Sequence, residues 1–138
     1  MKRILITGGA GFIGSNFVEY ILNNTNIEVY NLDKLTYAGN LDNLDSIVNN
    51  ERYHFIKGDI CNRELIERVF EQYQITDVIH FAAESHVDNS IKNPGAFIET
   101  NIVGSFNLLD VAYKTWMHGP NEVKSCFKDS RFLHVSTD

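Results

Sequence analysis

Cysteine is scarce in this sequence, and the two cysteines present do not form a metal-binding or redox motif. Cys61 and Cys126 lie far apart, with neither C-x-x-C spacing nor a neighbouring histidine. Metal sites and redox pairs need such clusters. We therefore expect no metal ion and predict two free, buried thiols.

Long apolar runs and clusters of basic residues are also missing. No segment approaches the roughly 18 apolar residues of a membrane span, and Met-Lys-Arg leads directly into a strand pattern without the apolar core of a signal peptide. The 12 basic residues are scattered among 18 acidic ones, and the net charge is −6. This charge argues against nucleic acid or an anionic membrane as the main partner. These absences predict a soluble, cytoplasmic protein.

The sequence does contain an alternation of short apolar runs with stretches of helical spacing. With 138 residues, 43% of them hydrophobic, the chain suffices for one domain with its own core. Such alternation is typical of βαβ units, which build a doubly wound parallel sheet, here in the order 3-2-1-4-5. The predicted strands are Arg3–Thr7, Glu28–Leu32, Tyr53–Lys57, Asp77–Phe81 and Arg131–Ser136.

Helical spacing of apolar residues predicts three helices between these strands. Two crossover helices are predicted at Phe12–Asn23 and Glu64–Gln72. A third begins near Asn93-Pro94, a capping residue followed by proline, and runs towards Lys114. Its apolar positions include Phe97, Ile98, Ile102, Phe106, Leu109 and Val111. The aromatic residues of the helix, including Phe97, Phe106 and Tyr113, are assigned to core packing by default. The polar run from His118 to Asp129 is interpreted as a surface loop.

The stretch ITGGAGFIG connects the first strand to the first helix. Gly9, Gly11 and Gly14 match G-x-G-x-x-G, and Gly8, Gly11 and Gly14 match the wider G-x-x-G-x-x-G. In this context the missing side chains allow a pyrophosphate to approach the backbone at a helix N-terminus. The turn predicts a dinucleotide-binding site.

Acidic residues end the second and third predicted strands. Asp33 stands about twenty residues after the last glycine, where a carboxylate accepts hydrogen bonds from the adenosine ribose. This favours NAD over NADP, although the adjacent Lys34 weakens the exclusion of a 2′-phosphate. Asp59, followed by Ile60, either contacts the adenine amino group or caps the next helix.

These motifs and several longer stretches resemble the extended short-chain dehydrogenase/reductases, a family of NAD-dependent nucleotide-sugar epimerases and dehydratases. The stretches are ILITGGAGFIGSNF, NLDKLTYAGNLDNL, GDICNREL, DVIHFAAESHVDNSI, FIETNIVGSFNLLDVA and FLHVSTD. Within that family DKLTYAGN, AAESHVD and STD resemble the 4,6-dehydratases that act on dTDP-glucose. The resemblance implies an NAD-binding Rossmann domain over residues 1–138, truncated after the fifth strand, as the N-terminal part of a longer homodimeric lyase.

The resemblance also implies roles for individual residues. The implied cofactor-binding residues are Gly8, Gly11, Phe12, Ile13, Gly14, Asp33, Lys34, Asp59, Ile60, Ala82, Ala83, Glu84 and Asn101. The implied substrate-binding residues are Ser85, His86 and Asp88, and the implied catalytic residues are Thr137 and Asp138. The chain departs from the family at Asn89, where many members have arginine.

The implied reaction converts dTDP-glucose to dTDP-4-keto-6-deoxyglucose. Hydride moves from sugar C4 to NAD, water is lost across C5 and C6, and hydride returns to C6. Thr137 would hold the 4-hydroxyl and Asp138 would protonate the leaving 6-hydroxyl. The glutamate that follows this aspartate in the family, and the downstream Tyr-x-x-x-Lys pair, are not in the sequence. The 138 residues alone are therefore expected to be inactive.

Three alternatives stay open. The whole protein could be an NAD-dependent 4-epimerase or a dehydratase for another nucleotide sugar. The chain itself could be a non-catalytic NAD-binding module. Without the resemblance, Ser136, Thr137 and Asp138 could simply cap a following helix.

Overall fold

A five-stranded parallel sheet forms the centre of the protein, as described by a computed structural model that covers residues 2–9, 12–34, 47–81 and 99–135. Its strands are β1 (Arg3–Thr7), β2 (Glu28–Asp33), β3 (Tyr53–Lys57), β4 (Asp77–His80) and β7 (Phe132–His134). They lie in the order β3-β2-β1-β4-β7 and pair in parallel. The predicted doubly wound α/β fold and its strand order are confirmed. The fifth strand is shorter than the predicted Arg131–Ser136.

In the described ranges, three α-helices and a π-helical segment accompany the sheet. Helix α1 (Phe12–Asn24) follows β1, α2 (Arg63–Tyr73) follows β3, and α3 (Ser105–Trp116) precedes the last strand. The π-helical segment Glu99–Gly104 leads directly into α3. The first two helices agree with prediction to within one residue at each end. For the third, residues 93–98 lie outside the described residues, and the part described begins with π rather than α geometry.

Alternation of side chains along the strands divides the core into two layers. In β1, Ile4 and Ile6 point to one face of the sheet and Leu5 to the other, because successive strand residues face opposite ways. One layer covers the α1 side: Ile4, Ile6, Val18, Ile21, Leu22, Val29, Ile47 and Tyr53. The other, on the side of α2 and α3, includes Leu5, Leu32, Ile66, Val69, Phe70, Val78, Leu108 and Val111. Both faces of the parallel sheet are thus buried, which gives its strands their continuous apolar runs.

Helix α3 turns only part of its apolar surface to the core. Leu108, Val111 and Ala112 are buried against the sheet. Four exposed side chains form an apolar outer face, defined as Ile102 in the preceding π-helical segment and Phe106, Leu109 and Tyr113 in α3, with exposures of 62%, 61%, 56% and 39%. The prediction that the aromatic residues Phe106 and Tyr113 pack in the core is therefore wrong. The spacing of four, three and four residues places the four side chains together on one side of the helix, away from the sheet.

The polar run after α3 is more ordered than the predicted loop. A short antiparallel hairpin joins β5 (Met117–Gly119) to β6 (Glu122–Val123), and a 3-10 turn follows at Ser125–Phe127. Phe127 is buried, with its ring 6.5 Å from that of Trp116. This contact anchors the segment to the core. Nearly all other residues of the run are exposed, so its predicted surface position is correct, and only the hairpin, the turn and the burial of Phe127 differ from a simple loop.

The two thiols are free, but the prediction that both are buried is wrong. Cys61 is partly exposed and Cys126 is exposed.

Among the described residues, no helix is long and apolar enough to cross a membrane.

Candidate functional site

The glycine turn brings the start of α1 into direct contact with the end of β1. Gly8 has a φ of 77°, a backbone conformation that favours glycine, and its N–H donates to the Leu32 carbonyl at 3.0 Å. A Cβ atom added at Gly14 would overlap the Gly8 carbonyl oxygen and lie 2.8 Å from Gly9 Cα. Only a glycine at position 14 allows this packing.

Asn31, to which the sequence motifs assign no role, holds the turn in place. Its side chain is fully buried in β2. The amide oxygen accepts a hydrogen bond from Gly9 N–H at 2.9 Å, and the amide nitrogen donates to the Tyr53 hydroxyl at 3.0 Å. Asn31 therefore connects the glycine turn to β2 and β3. Its signal in the sequence is a polar amide inside the otherwise apolar stretch EVYNL.

Three predicted cofactor-binding residues come together at the carboxyl ends of β2 and β3. Asp33 is 7% exposed and ends β2, and its carbonyl accepts from Gly58 N–H at 3.1 Å. The ammonium group of Lys34 lies 3.2 Å from Asp59 Oδ2. Asp33, Lys34 and Asp59 thus share one edge of the sheet, where ligands bind in open α/β folds.

Asp59 is held as a carboxylate by its surroundings. Burial raises its pKa, but the hydrogen bond from Cys61 N–H, at 2.9 Å, and the ammonium of Lys34 outweigh burial and keep the pKa below its usual value. Asp59 does not cap α2, because Asn62 does so by accepting from Leu65 N–H. The helix-cap interpretation of Asp59 is therefore wrong.

Ile60 has its side chain in the core. It is 5% exposed, and a Cβ atom at Gly104 would overlap its Cδ1 atom. The Ile60 carbonyl accepts from the side chain of Asn107 at 3.0 Å. This burial leaves the main chain, not the side chain, for contact with a cofactor.

Three polar side chains, Thr7, His80 and Ser105, form a hydrogen-bonded series next to the glycine turn. His80, which is fully buried, lies 2.6 Å from Thr7 Oγ1 through Nδ1 and 2.9 Å from Ser105 Oγ through Nε2. Burial, and secondarily electrostatic repulsion from His134, whose ring stacks on that of His80, lowers the pKa of His80 to about 4. The neutral imidazole, with one donor and one acceptor, suits two hydroxyl partners. His80 therefore links β1 to the start of α3.

Two Tyr-x-x-x-Lys spacings occur in the described part of the chain, at Tyr30 and Lys34 and at Tyr53 and Lys57. Tyr30 is buried, with its ring stacked on those of His54 and Tyr73. Tyr53 and Lys57 both lie in β3, where four residues span about 13 Å. The Tyr53 hydroxyl is bonded to Asn31, and burial raises the pKa of Tyr53 despite that hydrogen bond. Tyr53 therefore has a structural role and does not supply the family's tyrosine-lysine pair.

The remaining predicted site residues are described only in part. Ile13 is 65% exposed in the first turn of α1, and the main chain of Phe12 begins that helix. The main chain of Asn101 belongs to the π-helical segment. Outside the described residues lie Gly11, Ala82, Ala83, Glu84, Ser85, His86, Asp88, Thr137 and Asp138.

The described edge fits the diphosphate and ribose of a dinucleotide. A helix N-terminus presents main-chain N–H groups without intrahelical partners, and the first turn of α1 carries no acidic side chain that would repel an anion. The close approach at Gly14 keeps this terminus beside the glycine turn, and Asp33 stands at the end of the next strand. Among the described residues, His, Cys, Asp and Glu side chains form no group of three suited to a metal ion.

Residues 5–138 match the family model described as GDP-mannose 4,6 dehydratase. The chain belongs to this family. It is 54% identical over 138 residues to dTDP-glucose 4,6-dehydratase of Neisseria meningitidis serogroup B and 57% identical over 136 residues to that of Salmonella typhimurium. These matches cover 100% and 99% of the chain but 38% and 37% of the two relatives.

A solved structure shares the fold as well. The dTDP-glucose 4,6-dehydratase of Bacillus anthracis in complex with NAD superimposes with a TM-score of 0.79 and 38% identity, covering 99% of this chain and 38% of that one. These matches confirm the resemblance of this chain to the dTDP-glucose 4,6-dehydratases. They also confirm the Rossmann-like fold. The chain spans less than two-fifths of the length of these relatives.

Proposed function

We propose that the whole protein is an NAD-dependent dTDP-glucose 4,6-dehydratase and that residues 1–138 supply its cofactor-binding domain. The proposal is carried by the 54% identity to the Neisseria meningitidis enzyme across all 138 residues. The geometry of the glycine turn and of Asp33 supports it, because both suit a dinucleotide.

In this proposal the described residues bind and orient NAD, which supplies reversible hydride transfer when bound. The start of α1 binds the diphosphate through main-chain N–H groups. Asp33 accepts hydrogen bonds from the adenosine ribose, and Asp59 contacts the adenine. Ala82, Ala83, Glu84 and Asn101 complete the cofactor site by analogy with the family.

The sugar would be handled at the carboxyl ends of β4 and β7. Ser85, His86 and Asp88 follow β4 in sequence, and Thr137 and Asp138 follow β7. Thr137 holds the 4-hydroxyl, and Asp138 donates a proton to the 6-hydroxyl as it leaves as water. General acids of this kind need their proton within hydrogen-bond reach of the leaving oxygen.

An isotope experiment with the whole protein tests this assignment. dTDP-glucose deuterated at C4 is incubated with the protein and NAD in ordinary water, and the product is examined by proton NMR and mass spectrometry. A dehydratase of this mechanism yields a 4-keto sugar with deuterium in its new C6 methyl group. The Asp138→Asn variant should bind substrate but form this product far more slowly.

The same experiment separates the alternatives. A product that keeps its 6-hydroxyl and has the galactose configuration would identify a 4-epimerase. Faster dehydration of GDP-mannose or UDP-glucose than of dTDP-glucose would identify a dehydratase for another nucleotide sugar. The family model's description makes GDP-mannose the first competitor to include.

We further propose that the protein forms a homodimer through the apolar outer face of α3. Four large apolar side chains on one face of a helix are unusual at a solvent-exposed surface. A twofold axis would pair the face with its own copy and remove these side chains from water.

We place the protein in the cytoplasm. Cys61 and Cys126 are free thiols, and Cys126 is exposed, which suits a reducing compartment. Fractionation of cells that produce the tagged protein would test this placement.

A further inference from the structure

The position of Lys34 raises a question about cofactor choice. Lys34 follows Asp33 directly, and a lysine next to the adenosine ribose is a natural partner for the 2′-phosphate of NADP. A carboxylate at position 33 repels that phosphate, whereas a free ammonium beside it would attract it. Selectivity at this edge therefore depends on where the Lys34 charge is held.

The structure gives Lys34 a partner in the segment that connects β3 to α2. Its Nζ atom lies 3.2 Å from Asp59 Oδ2. The carboxylate itself is anchored, since Asp59 Oδ1 accepts from Cys61 N–H at 2.9 Å. One oxygen of Asp59 is thus fixed to the backbone while the other faces the ammonium group.

The charge balance at this edge disfavours a further anion. Asp33 and Asp59 contribute two negative charges and Lys34 one positive charge, and the Lys34 side chain remains 55% exposed. An exposed ion pair has modest energy. A 2′-phosphate carries close to two negative charges at neutral pH and would have to compete with Asp59 for Lys34.

We propose that Asp59 is a specificity-determining residue, which holds Lys34 away from the 2′ position of the adenosine ribose and so favours NAD over NADP. This role rests on the proposed function, because it requires a dinucleotide on the glycine turn. It adds a second element of discrimination to the repulsion from Asp33.

Two substitutions and their combination test the proposal. Dissociation constants for NAD and NADP are measured by isothermal titration calorimetry on the wild-type protein, Asp59→Asn, Lys34→Met and the double variant. Asp59→Asn is expected to lower the ratio of the NADP constant to the NAD constant about fivefold, the scale of an exposed ion pair. In the double variant this decrease in the ratio should disappear, because the ammonium group that Asp59→Asn would free is no longer present.

The matched control is Glu64→Gln, which removes an exposed acidic charge from the first turn of α2. It should leave the ratio unchanged. Circular dichroism confirms that each variant is folded. The effect of Lys34→Met on NADP binding should be greater in the D59N background than in the wild type, and this comparison does not depend on absolute affinity.

Two results would overturn the proposal. An unchanged ratio in Asp59→Asn would show that the ion pair between Asp59 and Lys34 does not affect the selectivity for NAD over NADP. A lowered ratio that persists in the double variant would show that Asp59 opposes the 2′-phosphate through its own negative charge alone, without Lys34. If the wild-type protein binds neither dinucleotide, the proposed function itself fails, which is distinguishable from both results.

Discussion

Thr7 and His80 share a hydrogen bond of 2.6 Å in the interior of the sheet, and neither side chain is exposed to solvent. Ser105 contacts the other imidazole nitrogen at 2.9 Å. Through His80, the strand that precedes the glycine turn is connected to the first residue of α3. A charged imidazole in this position would lose its hydration without gaining an acidic partner among these contacts.

We expect His80 to make the protein less stable in mild acid. Its pKa is about 4 in the folded protein, against 6.5 for an unperturbed histidine. Between these pH values the unfolded chain binds more protons, so the free energy of unfolding decreases as the pH falls from 6.5 to about 4. The share of His80 is about 3 kcal/mol.

Urea denaturation across this pH range measures the effect. The His80→Gln variant retains hydrogen-bonding capacity but does not titrate, so its stability should depend less on pH than that of the wild type. Equal slopes for the two proteins would show that other groups account for the loss.

Replacement of Asn31 by leucine should weaken both stability and NAD binding. The variant leaves the Gly9 N–H and the Tyr53 hydroxyl without their buried partner, at a cost of about 1–3 kcal/mol for each unsatisfied group. Denaturation and calorimetry measure the two effects. The control is Asn26→Leu, which makes the same change at an exposed position. Unaltered NAD affinity in a folded Asn31→Leu protein would contradict the role of Asn31 in positioning the turn.

Gly14→Ala should greatly reduce NAD binding. The added Cβ atom would overlap the Gly8 carbonyl oxygen, so the start of α1 must move away from the turn that it helps to form. Gly119→Ala provides the matched control, because a Cβ atom there has its nearest neighbour, Glu122 Oε2, at 3.8 Å. Calorimetric titration with NAD compares the two variants. Similar affinities would indicate that the turn adapts without loss of its site.

Phe106→Glu should shift the protein from dimer to monomer. The side chain lies at the centre of the apolar outer face and is 61% exposed, so the substitution places two charges near each other in a twofold interface without disturbing the core. Analytical ultracentrifugation measures the association. Tyr20→Glu, at a 62% exposed position on α1, is the control and should leave the mass unchanged. A monomeric wild-type protein would rule out the proposed dimer.

Structure that depends on nearby residues could be predicted from the sequence. The apolar runs and helical spacing located the five strands of the sheet and the helices α1 and α2, because periodicity reports which face of an element is buried. The buried side of α3 could not be predicted in this way. The helix is apolar on two sides, and spacing alone does not say which side the sheet covers, so the aromatic residues Phe106 and Tyr113 were assigned to the wrong surface.

The sequence by itself determined the doubly wound fold, the glycine turn and the position of Asp33 at the end of β2, since each follows from local pattern and turn chemistry. The tertiary structure decided the partners of the polar side chains. Asn31 meets Gly9 across 22 residues, and His80 meets Thr7 across 73. Lys34 meets Asp59 only because β2 and β3 lie side by side. A buried polar group must find its partner wherever the fold brings one near, and the order of residues along the chain does not specify that neighbour.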